Sequence, residues 1–398
     1  MKFPKTTSIL IVVLLFFVAL LGYNYFQRPF VKPNSEDSDQ AVEEASDSAE
    51  VIANQPYRRW QLDDLSPEQK VGQLLVIPFN LNAITASDAA ALRDTSVLEP
   101  GGYIIFGSKI SAIETKRFTS LVGQSQALDA IPTLIAVDHE GGDVQRLTGN
   151  GFSILPSARE LCRESKETQI AELKQSAQEL ALAGIHMVFG PSIDVASNSS
   201  VLKSRSCSGD SKTVSQYGEQ FVAAFSSNGV FPVLKHYPGI GSITQDLHTR
   251  YDQELVLAKD VEPFRFVLNA YPRIGVMVSH MGVVNQIPGL PCSMSADCID
   301  QLMSTNPQAL VLSDSLTMKA VAYDGETDTY SKSLETIALS AIMAGNQMLV
   351  FGPEATPEQL KSVKSALVAE YLANASFAKQ VDIAVVRILD AKEFQIFK

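Results

Sequence analysis

The chain has 398 residues, 45% of them hydrophobic, with 32 Lys and Arg against 44 Asp and Glu and a formal net charge of −12. That length and apolar content suffice for one large core. With no cluster of Lys and Arg to neutralise phosphates, the acidic balance excludes a nucleic-acid partner and fits a small or neutral substrate better.

Lys2 and Lys5 precede an apolar run from Ile9 to Tyr23. A secretory h-region spans about 7 to 15 residues and a membrane-crossing helix about 20, so the run falls between the two. No small-x-small cleavage site and no lipid-attachment Cys follow it. Residues 1–30 are therefore expected to be a signal-anchor that leaves the rest of the chain outside the membrane, or releases it as a secreted protein if the segment is cleaved. Residues 31–56 carry Glu36, Asp37, Asp39, Glu43, Glu44, Asp47 and Glu50 with no basic residue after Lys32. This reads as a self-repelling, disordered acidic linker.

The folded region is expected over 57–398 and opens on Ser66-Pro67-Glu68-Gln69. Ser at the cap, Pro at the first helical position and Gln three residues on are the signature of a helix start. Eight short apolar segments follow, around residues 74–79, 102–107, 133–138, 186–191, 231–236, 274–280, 309–314 and 347–352. Their apolar character is continuous rather than alternating, which predicts strands buried on both faces of a parallel sheet. Helix-compatible stretches separate most of them, and Thr356-Pro357-Glu358 starts another after the eighth. Eight strand-helix alternations predict an α/β chain folded as a single-domain (β/α)₈ TIM-type barrel. A doubly wound sheet is the other reading, but no Gly-rich dinucleotide turn follows the first strand.

Four cysteines, Cys162, Cys207, Cys292 and Cys298, allow three pairings. We favour Cys162 with Cys207 and Cys292 with Cys298, the latter being close in sequence. Four free thiols remain the alternative.

The apolar segments end in ionisable residues: Asp138, Asp194, Lys235 with His236, His280 and Asp314. In a barrel the carboxyl ends of the strands form the active-site face, so these groups should converge on one mouth. After the fifth segment runs the loop His236-Tyr237-Pro238-Gly239-Ile240-Gly241-Ser242-Ile243-Thr244-Gln245-Asp246-Leu247-His248. Pro and two Gly permit a sharp excursion and motion, and Asp246 and His248, two apart, can point the same way in an extended segment. An Asp bonded to one imidazole nitrogen fixes the tautomer and leaves the other to exchange a proton.

At these residues the chain resembles the family 3 glycoside hydrolases, in particular the single-domain bacterial β-N-acetylglucosaminidases, from about Leu65 to Lys392. The matching blocks are GGYIIF, VDHEGGDVQRL from Val137, LPS at Leu155, GPSIDV from Gly190, RS at Arg205, KHYPGIG, the D-x-H loop, VSH at 278–280 and LSDSLTM from Leu312. The resemblance implies a retaining β-N-acetylglucosaminidase that removes terminal β-linked N-acetylglucosamine from peptidoglycan fragments or chito-oligosaccharides. It makes Asp314 the nucleophile, His248 oriented by Asp246 the acid/base, and Asp138, Arg146, Arg205, Lys235 and His236 the sugar-binding groups. It calls for no cofactor and no metal, a carbohydrate as partner, the membrane through the N-terminal helix, and a monomer.

The chain departs from the family's usual forms in four places: Ile240 stands for His in KHFPGHG, Leu247 for Ser in D-S-H, Ser315 for Asp in SDDL, and Gln347 for a common acidic residue. These substitutions bear on specificity and on the packing of the loop. Three other readings compete. A metal-dependent barrel hydrolase could use His139, His236, His248, His280 and Asp314, although His-x-His is missing from the first strand. A carbohydrate-binding relative would have weakened catalysis, and a phosphorylase or β-glucosidase could act on the same barrel.

Overall fold

A computed structural model describes residues 60–81, 86–126, 131–284, 286–287, 289–325, 327 and 329–396. The chain divides into residues 1–59 and 60–398. The expected signal-anchor and acidic linker fall in the first unit, outside the described residues. Among the described residues no helix is long and apolar enough to cross a membrane.

All eight apolar segments form strands: β1 Leu75–Asn80, β2 Gly102–Phe106, β3 Leu134–Gly141, β4 Met187–Ser192, β5 Phe231–Tyr237, β6 Gly275–Val278, β7 Leu310–Ser313 and β8 Leu349–Val350. Each pairs in parallel with its sequence neighbour from β1 through β7, and β8 pairs with β1. A bridge between Leu312 and Met348 joins β8 back to β7. The sheet is thus a nearly closed α/β barrel, which is why β4, β5, β6 and β7 are buried along their whole length.

Among the described residues, ten helices of seven residues or more surround or follow the strands: α1 Pro67–Gln73, α2 Ala86–Ser96, α3 Ala112–Ser125, α4 Lys166–Leu182, α5 Ser211–Ser227, α6 Ala258–Ala270, α7 Ala296–Thr305, α8 Leu334–Met343, α9 Pro357–Ala373 and α10 Ala375–Ile396. The capping box at α1 is formed, with Ser66 Oγ accepting from the Gln69 amide at 3.2 Å and the Ser66 amide donating to Gln69 Oε1 at 3.1 Å. Thr356 and Gln359 repeat it at α9. A cap of this kind is worth about 1 kcal/mol.

Two helices lay outside the sequence reading. The described part of α2 buries only Leu92 and Thr95, too few anchors to leave a periodic apolar stripe. Helix α10 begins where Asn374 Oδ1 accepts from the amides of Ser376 and Phe377, an Asn cap that separates it from α9.

Both favoured disulfides are present, Cys162–Cys207 and Cys292–Cys298, with Cα separations of 5.7 and 5.4 Å, and no free cysteine remains.

Candidate active site

The carboxyl ends of the strands surround a cavity of about 550 Å³ lined by Asp138, Glu140, Arg146, Arg205, Lys235, His236, His248 and Asp314 among others. Seven of the eight site residues expected from the sequence therefore face one space. The eighth, Asp246, stands behind His248.

The β3 end and the chain returning from it supply three of the groups. Asp138 and Glu140 lie two apart on the strand and so share its inner face, while His139 alternates outward to place Nε2 3.0 Å from Ser176 Oγ on α4. Burial lowers the His139 pKa to about 4. Behind Glu140 the chain reverses through Gly141 and Gly142, with φ of +89° and +56°. A Cβ on Gly141 would stand 2.3 Å from the Pro156 carbonyl oxygen, so both conformation and space demand glycine. The returning strand pairs Gln145 with His139 and brings Arg146 beside Asp138, with Nη2 to Oδ2 at 3.8 Å. The Arg146 guanidinium also lies over the Phe106 ring, 5.7 Å from its centroid.

Glu140 is the centre of a buried ion network that the sequence reading missed. Arg205 donates to it twice, from Nε to Oε2 and from Nη2 to Oε1, each at 2.9 Å. Lys235 Nζ stands 2.7 Å from Glu140 Oε1 and 2.8 Å from Asp138 Oδ1. Burial alone would raise the Glu140 carboxyl, but Arg205 and Lys235 outweigh it and hold the group far below the usual carboxylate range. The signal was present in the D-x-E spacing at a strand end.

On β5 both Lys235 and His236 reach the cavity, since the register to β6 slips between Leu234 and Tyr237 and breaks the alternation. His236 Nδ1 lies 2.8 Å from Asp194 Oδ2, and Arg205 Nη2 approaches Nε2 at 3.1 Å. With Nδ1–H donated to Asp194, Nε2 offers its lone pair to the guanidinium. Asp194 does not line the cavity; its Oδ1 also accepts from the amide of Ile240 at 2.8 Å. This buried carboxylate anchors both His236 and the start of the following loop.

Asp314 follows β7, its amide donating to the Val278 carbonyl and its Oδ1 accepting from the Ser315 amide at 2.7 Å. Burial would raise its pKa, but the imidazoles of His236 and His280 and the Ser315 amide hold it below the usual value. His280 is wholly buried behind it, Nε2 donating to the Ser315 carbonyl at 2.8 Å and Nδ1 meeting Ser293 Oγ at 2.7 Å. It shapes the peptide after Asp314 and does not line the cavity.

The Asp246/His248 pair is formed, but not in an extended segment. Residues 247–249 make a turn in which Asp246 Oδ1 accepts from the His248 amide and faces His248 Nδ1, both at 2.9 Å. The pair sits at the rim, with side chains 70% exposed for His248 and 57% for Asp246.

Two substitutions expected to bear on specificity lie elsewhere. Ile240 is buried among the loops and absent from the cavity wall. Gln347 accepts from the Val311 amide at 3.0 Å through Oε1, so it stitches the β7–β8 seam. Among the described residues no three His, Cys, Asp or Glu side chains converge as a metal-holding group. His139 and His280, both invoked by the metal-hydrolase reading, turn away from the cavity.

A family model described as "Glycosyl hydrolase family 3 N terminal domain" matches residues 66–391. Beta-hexosaminidase of Idiomarina loihiensis is 28% identical over 288 residues, covering 69% of this chain and 82% of its own. Beta-hexosaminidase LpqI of Mycobacterium tuberculosis is 32% identical over 249 residues, 60% of this chain and 61% of its own. Among solved structures, beta-N-acetylhexosaminidase from Beutenbergia cavernae superposes with a TM-score of 0.72 at 26% identity, covering 83% of this chain and 99% of that one. A beta-N-acetylglucosaminidase from Paenibacillus sp. gives 0.72 at 25% identity, covering 83% and 63%.

Proposed function

The chain belongs to glycosyl hydrolase family 3, and from that premise we propose that it is a retaining β-N-acetylglucosaminidase. The observation that carries the reading is the cavity itself, in which a half-buried, ionised Asp314 and a carboxylate-backed His248 face the same space as a fixed array of hydroxyl-binding charges.

The chemistry follows from these positions. An Asp314 oxygen attacks the anomeric carbon while His248 Nε2–H gives its proton to the departing glycosidic oxygen, breaking the C–O bond. Asp246 stabilises the imidazolium through Nδ1 and keeps Nε2 free. Water then loses a proton to His248 Nε2 and attacks the same carbon, releasing Asp314. Two inversions retain the β configuration. An acid/base that is neutral when deprotonated avoids the like-charge repulsion a second carboxylate would bring to Asp314. Asp138, Lys235, Arg205, His236 and Arg146 hold the sugar hydroxyls, and a sugar lacking one would leave a buried partner unpaired.

Peptidoglycan fragments and chito-oligosaccharides are the natural substrate classes we propose, for a monomeric catalytic barrel tethered outside the membrane by residues 1–30. The purified protein is expected to release N-acetylglucosamine from an aryl β-N-acetylglucosaminide, followed by absorbance of the phenol. No turnover on aryl N-acetylglucosaminides or glucosides would sink the enzyme reading.

The Cys162–Cys207 bridge carries a prediction of its own. Cys207 lies two residues after Arg205, and the bridge ties that segment to the short helix Ala158–Leu161. Changing both cysteines to Ser should raise KM several-fold with a smaller effect on kcat, because Arg205 loses its fixed approach. With the cysteines 45 positions apart, the chain-entropy model puts the loss of stability at about 4 kcal/mol. An unchanged KM in protein that still melts cooperatively would detach the bridge from sugar binding.

A further inference from the structure

His248 lies on the rim and, among the described residues, its ring has one hydrogen-bond partner, Asp246, which is itself mostly exposed. A proton donor must be held within hydrogen-bond reach of the leaving oxygen, so the placement of this pair has to come from elsewhere. The loop that carries it supplies three fastenings.

The first is a second apolar core, separate from the barrel interior. Ile240, Ile243 and Leu247 point down from the loop onto Ala196 and Leu202 after β4, Met281 after β6, and Met318 and Ala320 after β7. Leu247, between the two members of the pair, is only 3% exposed. The loop backbone fits closely here, since a Cβ on Gly241 would stand 2.1 Å from the Val195 carbonyl oxygen. The second fastening is the backbone pairing of Ala320 and Lys319 amides to the carbonyls of Leu247 (3.1 Å) and His248 (3.3 Å), which joins the pair to the segment following Asp314. The third lies at the loop's far end. Tyr251 stacks on Tyr323 with centroids 4.5 Å apart and planes at 18°, Tyr323 leans on Tyr330, and Tyr330 Oη accepts from the Tyr251 amide at 3.2 Å.

We propose that Leu247 and the Tyr251–Tyr323 stack are positioning residues for the acid/base, clamping the Asp246/His248 turn to the segment that follows Asp314 so that proton donor and nucleophile keep one spacing. The sequence first suggested a loop free to move; these contacts make it a fastened platform. Leu247 and Ile240, polar in the family's usual pattern, here contribute their side chains to the clamp. The inference rests on the glycosidase reading.

The test exploits the leaving group. An aryl glycoside with a very acidic phenol departs without a proton, whereas one with a weakly acidic phenol needs the general acid, whose contribution is about 10² to 10⁴. Leu247→Ala and Tyr323→Ala are each expected to lower kcat/KM about tenfold for a weakly acidic phenol and less than about twofold for dinitrophenol. Tyr323→Phe, which preserves the stack, should restore wild-type values. Equal losses on both substrates, or no loss on either, would overturn the proposal. The two variants act from different loops, so if one fails to melt cooperatively the other decides. A wild-type protein inactive on every aryl glycoside removes the enzyme reading and this inference with it, whereas a uniform loss in the variants removes this inference alone.

Discussion

Asp314→Asn should reduce kcat by a factor on the order of 10⁴ to 10⁶, the scale seen when a covalent nucleophile is removed, while melting at nearly the wild-type temperature. Asn keeps the shape and can still accept from the Ser315 amide through its carbonyl oxygen, so the fold loses little. It cannot form the ester with the anomeric carbon. The wild-type profile carries a related expectation. Because Asp314 titrates below the usual aspartate value, kcat/KM should lose activity on the acid side only as pH falls below about 4, where that carboxyl takes up its proton. His248→Ala provides the complement. With a dinitrophenyl donor the first step still runs, and the second, lacking its base, lets a glycosyl-enzyme accumulate that intact-mass analysis detects. An Asp314→Asn protein retaining more than a few per cent of wild-type kcat would move the nucleophile elsewhere, with Asp138, another carboxylate on the cavity wall, the next to examine.

The strands were legible because a barrel buries both faces of its sheet, and a run such as FPVLKH can satisfy that only as a strand or a buried helix segment. Regular spacing of eight such runs then made a closed parallel barrel the economical answer. Helix α2 was hidden for the converse reason, since in its described part only Leu92 and Thr95 are buried and two anchors give no period to read. The catalytic candidates were readable from motif and position together: Asp314 at a strand end, and D-x-H in the Pro- and Gly-containing loop after the fifth strand.

What the sequence could not convey was which polar residues support others. Glu140 looked like one more letter in a block, although its two-residue offset from Asp138 placed it on the inner face and Arg205 comes to it from 65 positions away. Asp194 and His280 were rightly placed at strand ends, yet one holds His236 and the other shapes the Ser315 peptide. Ile240 looked like a change in substrate contact and proved to be packing, because a loop's inward side is set by which neighbouring loops it meets. Asp246 and His248 were expected to align as in a strand; a turn brings them together instead.

Glu140→Ala is expected to cost as much stability as the loss of the Cys162–Cys207 bridge. It removes a carboxylate whose side chain is 3% exposed and leaves Arg205 and Lys235 facing each other with Asp138 as the nearby counter-charge. Breaking a buried pair by removing one member costs about 3 to 5 kcal/mol, because the remaining charge stays desolvated. Urea unfolding should report that loss, and sugar affinity should fall with it, since both cations lose the group that aims them. Removing the cation as well, as Glu140→Leu with Lys235→Met, should recover part of the stability and none of the activity, which separates burial of an unpaired charge from loss of volume. The pH dependence has a definite sign. The folded-state carboxyl titrates far below its unfolded value of about 4.3, with burial opposing and Arg205 and Lys235 driving the shift. Its stabilisation is therefore complete above that unfolded value and declines as pH falls through and below it. The wild type should lose stability relative to Glu140→Ala below about pH 4. A cost under about 1 kcal/mol at neutral pH would place the network among solvent-screened surface pairs, contrary to its depth in the barrel.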